Sequence, residues 1–152
     1  MLERTVRAGF IAPCLPTKAD KLPSGSEWLH EISTTDRVRY RHHDESIFLY
    51  AFDLIELNGD DLRCDPLEDR KARLEVMLAK AEAGIKFNDH MVGEGEVVFR
   101  HACKLGLEGI VLKRKDSAYR SGRSSDWLKM KNADAPAVKR EEEEDWGKQK
   151  WR

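Results

Sequence analysis

The sequence predicts an α+β domain. Three observations carry this: an apolar, aromatic-rich stretch ending in Asn58-Gly59, two punctuated amphipathic helices, and a closing pair of strand-like segments in which lysines interrupt apolar runs. Residues 1–27 hold Pro13, Pro16, Pro23 and Gly25 and read as an irregular entry segment. "EWLHEI" (27–32) alternates and ends apolar, as a short strand does. "SIFLYAFDLIELNGDDL" (46–62) is the strongest strand signal, and its dipeptide Asn58-Gly59 favours a tight hairpin. Its near-continuous apolar character predicts burial on both faces.

Residues 65–84 predict a helix with Asp65 and Glu68 as a capping box, Pro66 in the first turn and Gly84 as the stop. Leu67, Leu74, Met77, Leu78 and Ala81 form the expected buried stripe. A second helix over 94–106 turns Val98, Phe99, Ala102 and Leu105 inward and ends at Gly106. Strands follow near 108–114 and 125–131. From Ala133 the chain carries blocks of like charge without an apolar period, so 1–132 is read as the domain and 133–152 as a disordered or loosely docked tail.

Composition narrows the function. No run of about 18 apolar residues exists, so no membrane span is expected. The first residues lack a continuous apolar core, so no signal peptide is expected. Cys14, Cys64 and Cys103 are odd in number and far apart, which fits reduced thiols in the cytoplasm rather than a disulfide or zinc framework. His42 and His43 are adjacent, so a strand would turn them to opposite faces, against a metal role. The net charge is −1, yet residues 113–131 hold seven Lys or Arg against two Asp, a local footprint for phosphates. A solvated basic face is the competing reading of that charge.

The last two strands sharpen the question. Side chains two apart share a face, so Trp127, Lys129 and Lys131 point one way and Leu128 and Met130 the other. Two cations side by side repel unless an anion lies between them, and phosphate is the natural occupant. On the preceding strand Glu108, Ile110 and Leu112 share one face, and Gly109, Val111 and Lys113 the other. Gly109 permits close approach of a ligand or backbone. Glu108 is a candidate magnesium ligand. Ordinary exposed charges on a surface strand remain the alternative on spacing alone.

The order "EWLHEI", "FLYAFDLIELNGDDLRCDPLEDRKARL" and "LGLEGIVLKRKDSAYRSGRSSDWLKMK" resembles the adenylation domain of ATP-dependent DNA ligases, chiefly the short bacterial end-joining type, over about residues 9–132. The resemblance implies an ATP-grasp-like nucleotidyltransferase fold, mainly two antiparallel sheets with flanking helices and ATP in the groove between them. It implies Glu31 beside the adenine, Phe52 stacking on the base and Glu108 at a Mg2+ site. Lys129 and Lys131 would hold the ATP phosphates, and Lys113 and Arg123 would extend the basic surface toward phosphate or DNA. A core phenylalanine is the alternative for Phe52. The implied reaction joins nicked or broken double-stranded DNA, in repair and recombination, through a lysyl-AMP and a DNA-adenylate, alongside end-joining proteins in the bacterial cytoplasm and nucleoid.

The family's nucleophilic lysine lies in a K-x-D-G motif directly after "HEI". Here Ser33 follows Ile32, and the chain contains no Asp-Gly pair. This resembles an internal loss between Ile32 and Thr34, which would expose sheet edges and weaken the fold. An unactivated serine hydroxyl is a weak substitute, so no catalytic nucleophile is assigned and no enzyme–AMP adduct is expected. The 20 residues after Asn132 cannot form the family's DNA-clamping OB-fold barrel, so DNA binding is expected to be weak and salt-sensitive. A ligase-like module that holds nucleotide or DNA without chemistry is the alternative function.

Overall fold

The computed structural model describes residues 11–33, 49–81, 84–136, 138 and 139. His42, His43 and the charged stretch 141–152 lie outside these residues. The described chain is α+β. Its eight strands are β1 (Cys14–Lys18), β2 (Trp28–Ser33), β3 (Leu49–Ala51), β4 (Glu56–Leu57), β5 (Asp60–Asp61), β6 (Ile85–Phe87), β7 (Gly109–Arg114) and β8 (Gly122–Lys131). Its helices are α1 (Leu67–Leu78) and α2 (Gly95–Lys104).

The main sheet has the order β1-β8-β7-β2, and two small sheets pair β3 with β6 and β4 with β5. β2–β7, β7–β8 and β4–β5 are antiparallel, as expected, and β1–β8 and β3–β6 add parallel pairings. β1 was read as irregular because of its prolines. It becomes a strand because it lies at the sheet edge, where Pro16 costs least.

The 46–62 segment is not one buried strand. Among its described residues, Leu49, Tyr50 and Phe52 are exposed, Leu54 and Leu62 are buried in the core, and Ala51 and Leu57 pack partly buried against it. Asp53 ends β3 by accepting the Leu54 N–H at 2.8 Å and by pairing with Arg70. The Asn58-Gly59 turn does form, with φ of 54° and 90°, and joins β4 to β5 as a hairpin.

The expected capping box on α1 does not form. The helix starts one residue later than that motif needs, with Pro66 in the cap position and no side-chain cap bond. Lys115 O accepts the Glu68 N–H at 3.0 Å instead, while the Asp65 carboxylate pairs with Arg73. Leu67 and Leu74 are buried as expected, Met77 is exposed, and Arg70 and Lys71 complete the buried stripe.

α2 ends in a paired-carbonyl stop: Leu107 N–H donates to Ala102 O and Gly106 N–H to Cys103 O, both at 3.0 Å. The chain turns there, so Leu105 is exposed and Leu107 packs in its place. Val98 and Ala102 of α2 meet Ile110 and Leu112 of β7, with Leu128 and Met130 alongside. Burial of such side chains contributes about 1.5–3 kcal/mol each for the larger ones. A second cluster of Leu54, Leu62 and Leu74 lies under β3, β6 and α1.

After β8 the chain remains docked for a turn. Asn132 donates to Leu107 O, its side-chain oxygen accepts the Asp134 N–H, and Ala135 and Val138 are buried. The first described residues of the expected tail therefore pack on the domain.

Candidate functional site

Strand register decides which side chains meet. In β2–β7–β8, Glu31 pairs with Val111 and Val111 with Lys129, while Leu29 pairs with Lys113 and Lys113 with Trp127. Gly109 pairs with Ser33 on one side and Lys131 on the other. Paired residues share a face. Glu31, Lys113, Trp127, Lys129 and Lys131 therefore lie on one face of the sheet, and α2 covers the other.

Glu31 is the hub of this face. It is only 3% exposed. Lys71 Nζ donates to its Oε1 at 2.6 Å, Lys113 Nζ to its Oε2 at 2.6 Å, and Asn88 Nδ2 to Oε2 at 3.1 Å. Lys71 also donates to Asn88 O at 2.9 Å and lies 4.6 Å from the Phe87 ring centroid. Lys113 lies 4.2 Å from the Phe52 ring and 4.1 Å from Trp127. Burial lowers the Lys113 pKa below the ordinary lysine value, and the Glu31 carboxylate opposes that shift. One carboxylate thus serves two buried ammonium groups, leaving the cluster locally cationic.

Phe52 is half exposed at 45% and meets Trp127 edge-on, with centroids 5.9 Å apart. Its carbonyl faces Lys71 Nζ at 3.5 Å. Glu108 is buried directly before β7, where its carbonyl accepts the Asn132 N–H at 2.7 Å. Gly109 has φ +147°, and a Cβ there would lie 2.0 Å from Met130 O. The close approach at this glycine is by the β8 backbone. Arg123 stands apart from the cluster, near the start of β8, where its Nη1 donates to Pro16 O at 3.1 Å.

Sequence reasoning missed Lys71, Asn88 and the Arg70–Asp53 pair. The first had a signal: Leu67, Arg70, Lys71 and Leu74 follow the i, i+3, i+4, i+7 spacing of a buried stripe, with two charges on it. Arg70 is fully buried and binds both Asp53 oxygens at 2.8 and 2.9 Å, Ser117 O at 3.0 Å, and Asp65 O. It clamps α1 to the β3 exit and thereby places Lys71 against Glu31.

The description "ATP dependent DNA ligase domain" matches residues 15–131. The chain belongs to the ATP-dependent DNA ligase family. It is 46% identical over 88 residues to the multifunctional non-homologous end joining protein LigD of Pseudomonas aeruginosa, covering 57% of this chain and 10% of that protein. It is 40% identical over 102 residues to a DNA ligase of Natronomonas pharaonis, covering 62% and 18%.

Among solved structures, the ligase domain of M. tuberculosis LigD superposes with a TM-score of 0.65 at 19% identity, over 80% of this chain and 59% of that one. This likeness is one of fold. A mycobacterial DNA ligase D complexed with ATP and MES gives a TM-score of 0.55 at 28% identity, over 67% and 36%. The chain thus spans 10–18% of these two curated relatives.

Proposed function

We propose that this chain is the ATP-holding face of a DNA ligase adenylation domain that acts at breaks in double-stranded DNA, and that it does not adenylate itself. The observation that carries this is the register that lines Glu31, Lys113, Lys129 and Lys131 along one sheet face. Lys129 and Lys131 hold the phosphates and stabilise developing negative charge there. Phe52, the half-exposed ring at the edge of the cluster, supplies a stacking surface for the base. Glu31 organises the base end through Lys71, Lys113 and Asn88. Arg123 serves as an outlying DNA contact.

Glu108 would hold Mg2+ together with the substrate's phosphates, which requires the backbone break at Gly109, φ +147°, to turn its carboxylate away from the α2-covered side of Ile110 and Leu112. Among the described residues no group of three or more His, Cys, Asp or Glu could form an all-protein metal cage. A single carboxylate fits magnesium, which commonly takes one or two carboxylates and completes its shell with phosphates and water. The ion would supply charge neutralisation at the phosphates.

No lysine occupies the position after Ile32, where Ser33 stands at the end of β2 opposite Gly109. The domain therefore works as a nucleotide- and DNA-holding unit, with end-joining proteins as its partners in the cytoplasm. Among the described residues no helix is long and apolar enough to cross a membrane.

Titration calorimetry with ATP and Mg2+ tests this reading. Wild type is expected to bind. Lys129→Met should lose about tenfold or more in affinity, equivalent to one charge-assisted contact, with its unfolding midpoint unchanged. Equal ATP affinity in the two proteins refutes the phosphate role. Radiolabelled ATP should leave no acid-stable, lysine-linked adduct, and such an adduct would refute the self-adenylation part alone.

A further inference from the structure

The pairing of β1 with β8 brings a further cation, Lys18, to this face beside Lys129. Cys14, Leu15 and Pro16 pair in parallel with Gly122, Arg123 and Ser124. The register then jumps, so that Thr17 pairs with Leu128 and Lys18 with Lys129. An uninterrupted ladder would have set Lys18 against Asp126, an attractive cross-strand pair. The jump sets it against another ammonium, a repulsive one.

The unfavourable register is firmly held. Thr17 Oγ1 donates to Ser124 O at 2.8 Å, Ala19 N–H to Lys129 O at 3.0 Å, and Asp126 N–H to Ser124 Oγ at 3.1 Å. Tyr119 pins the start of β1, accepting from Cys14 N–H at 3.0 Å and donating to Ala12 O at 2.9 Å. Among the described residues neither Lys18 nor Lys129 is paired with a carboxylate.

We propose that Lys18 is a further phosphate-contacting residue that reads the terminal phosphates of a nucleoside triphosphate, so that the chain separates ATP from AMP. This rests on the nucleotide reading given above. Lys129 and Lys131 are about 7 Å apart along the strand, and β1 lies about 5 Å to the side of β8. Ammonium groups carried on backbone positions so disposed can each meet a different phosphate of a polyphosphate chain, a division of contacts that a lone phosphate does not offer. Relief of the Lys18–Lys129 repulsion by such an anion is the reason the register favours it.

The test titrates the full 152-residue chain with ATP and with AMP at fixed Mg2+ and ionic strength. Wild type, Lys18→Met and Lys21→Met are compared, the last removing an exposed lysine in the bend beyond β1. Lys18→Met should weaken ATP about five- to tenfold, the scale of one exposed charge-assisted contact, and leave AMP unchanged. Lys21→Met should change neither. An unaltered ATP-to-AMP ratio in Lys18→Met overturns the proposal while leaving the nucleotide site intact. So does a loss confined to nicked-DNA binding. Failure of wild type to bind either nucleotide overturns both readings.

Discussion

Replacing Glu31 with Gln keeps the shape of the side chain and removes its charge. The carboxylate accepts from Lys71, Lys113 and Asn88 at 2.6, 2.6 and 3.1 Å, and all three charged groups are almost wholly buried. An amide retains one acceptor oxygen. Its NH2 group would turn donors toward one of the two ammonium groups. Removing one partner of a buried ion pair costs about 3–5 kcal/mol, because the remaining charge is left without compensation. Here one deletion strands two cations, which places the expected loss toward the upper part of that range.

The measurement is urea unfolding followed by tryptophan fluorescence, since Trp127 lies in the cluster. With a urea slope of about 2 kcal/mol/M, the midpoint should fall by roughly 2 M. The triple variant Glu31→Gln, Lys71→Met, Lys113→Met should recover most of the loss, because the stranded charges are gone. Burial holds the Lys113 pKa below its unfolded value of 10.5. Between the folded value and 10.5 the unfolded chain binds more protons, so stability rises with pH across that window. Without Glu31 the folded value drops further, the window widens, and the variant should gain more than wild type from alkaline pH. A stability change below about 1 kcal/mol, or a triple variant no better than the single one, would refute the buried-hub account. Lost ATP binding with stability intact would instead give Glu31 a purely ligand-facing role.

Two further substitutions test the scaffold. Gly109→Ala forces a Cβ to 2.0 Å from Met130 O at φ +147°, and should cost about 2–4 kcal/mol in thermal unfolding. A neutral result would mean that β7 and β8 do not approach so closely. Arg70→Lys cannot reproduce a fork that binds both Asp53 oxygens and two carbonyls, and should cost about 2–4 kcal/mol in chemical unfolding. An unchanged midpoint would show that the clamp is dispensable.

Part of the site could be read residue by residue. The alternation in "DWLKMK" separates Leu128 and Met130 from Lys129 and Lys131, and the structure packs the first two on α2's side of the sheet. Phe52 could not be placed that way. Its apolar neighbours predict burial, yet Asp53 is captured by Arg70 and the strand stops short. The capping box at Asp65 failed for a similar reason, since a carbonyl 47 residues away, that of Lys115, reached the Glu68 N–H.

The sequence by itself determined the two helices, the strands β2, β7 and β8, the hairpin turn at Asn58-Gly59, the end of α2 at Gly106 and the shared face of Lys129 and Lys131. These follow from covalent geometry and neighbours a few residues apart, so they are written locally. Only the tertiary structure decided that Glu31 is buried between two lysines, that Arg70 and Lys71 belong to the interior, and that Lys18 faces Lys129. Those outcomes depend on strand register and on desolvation by distant segments, and no local pattern encodes which distant carboxylate a buried cation will find.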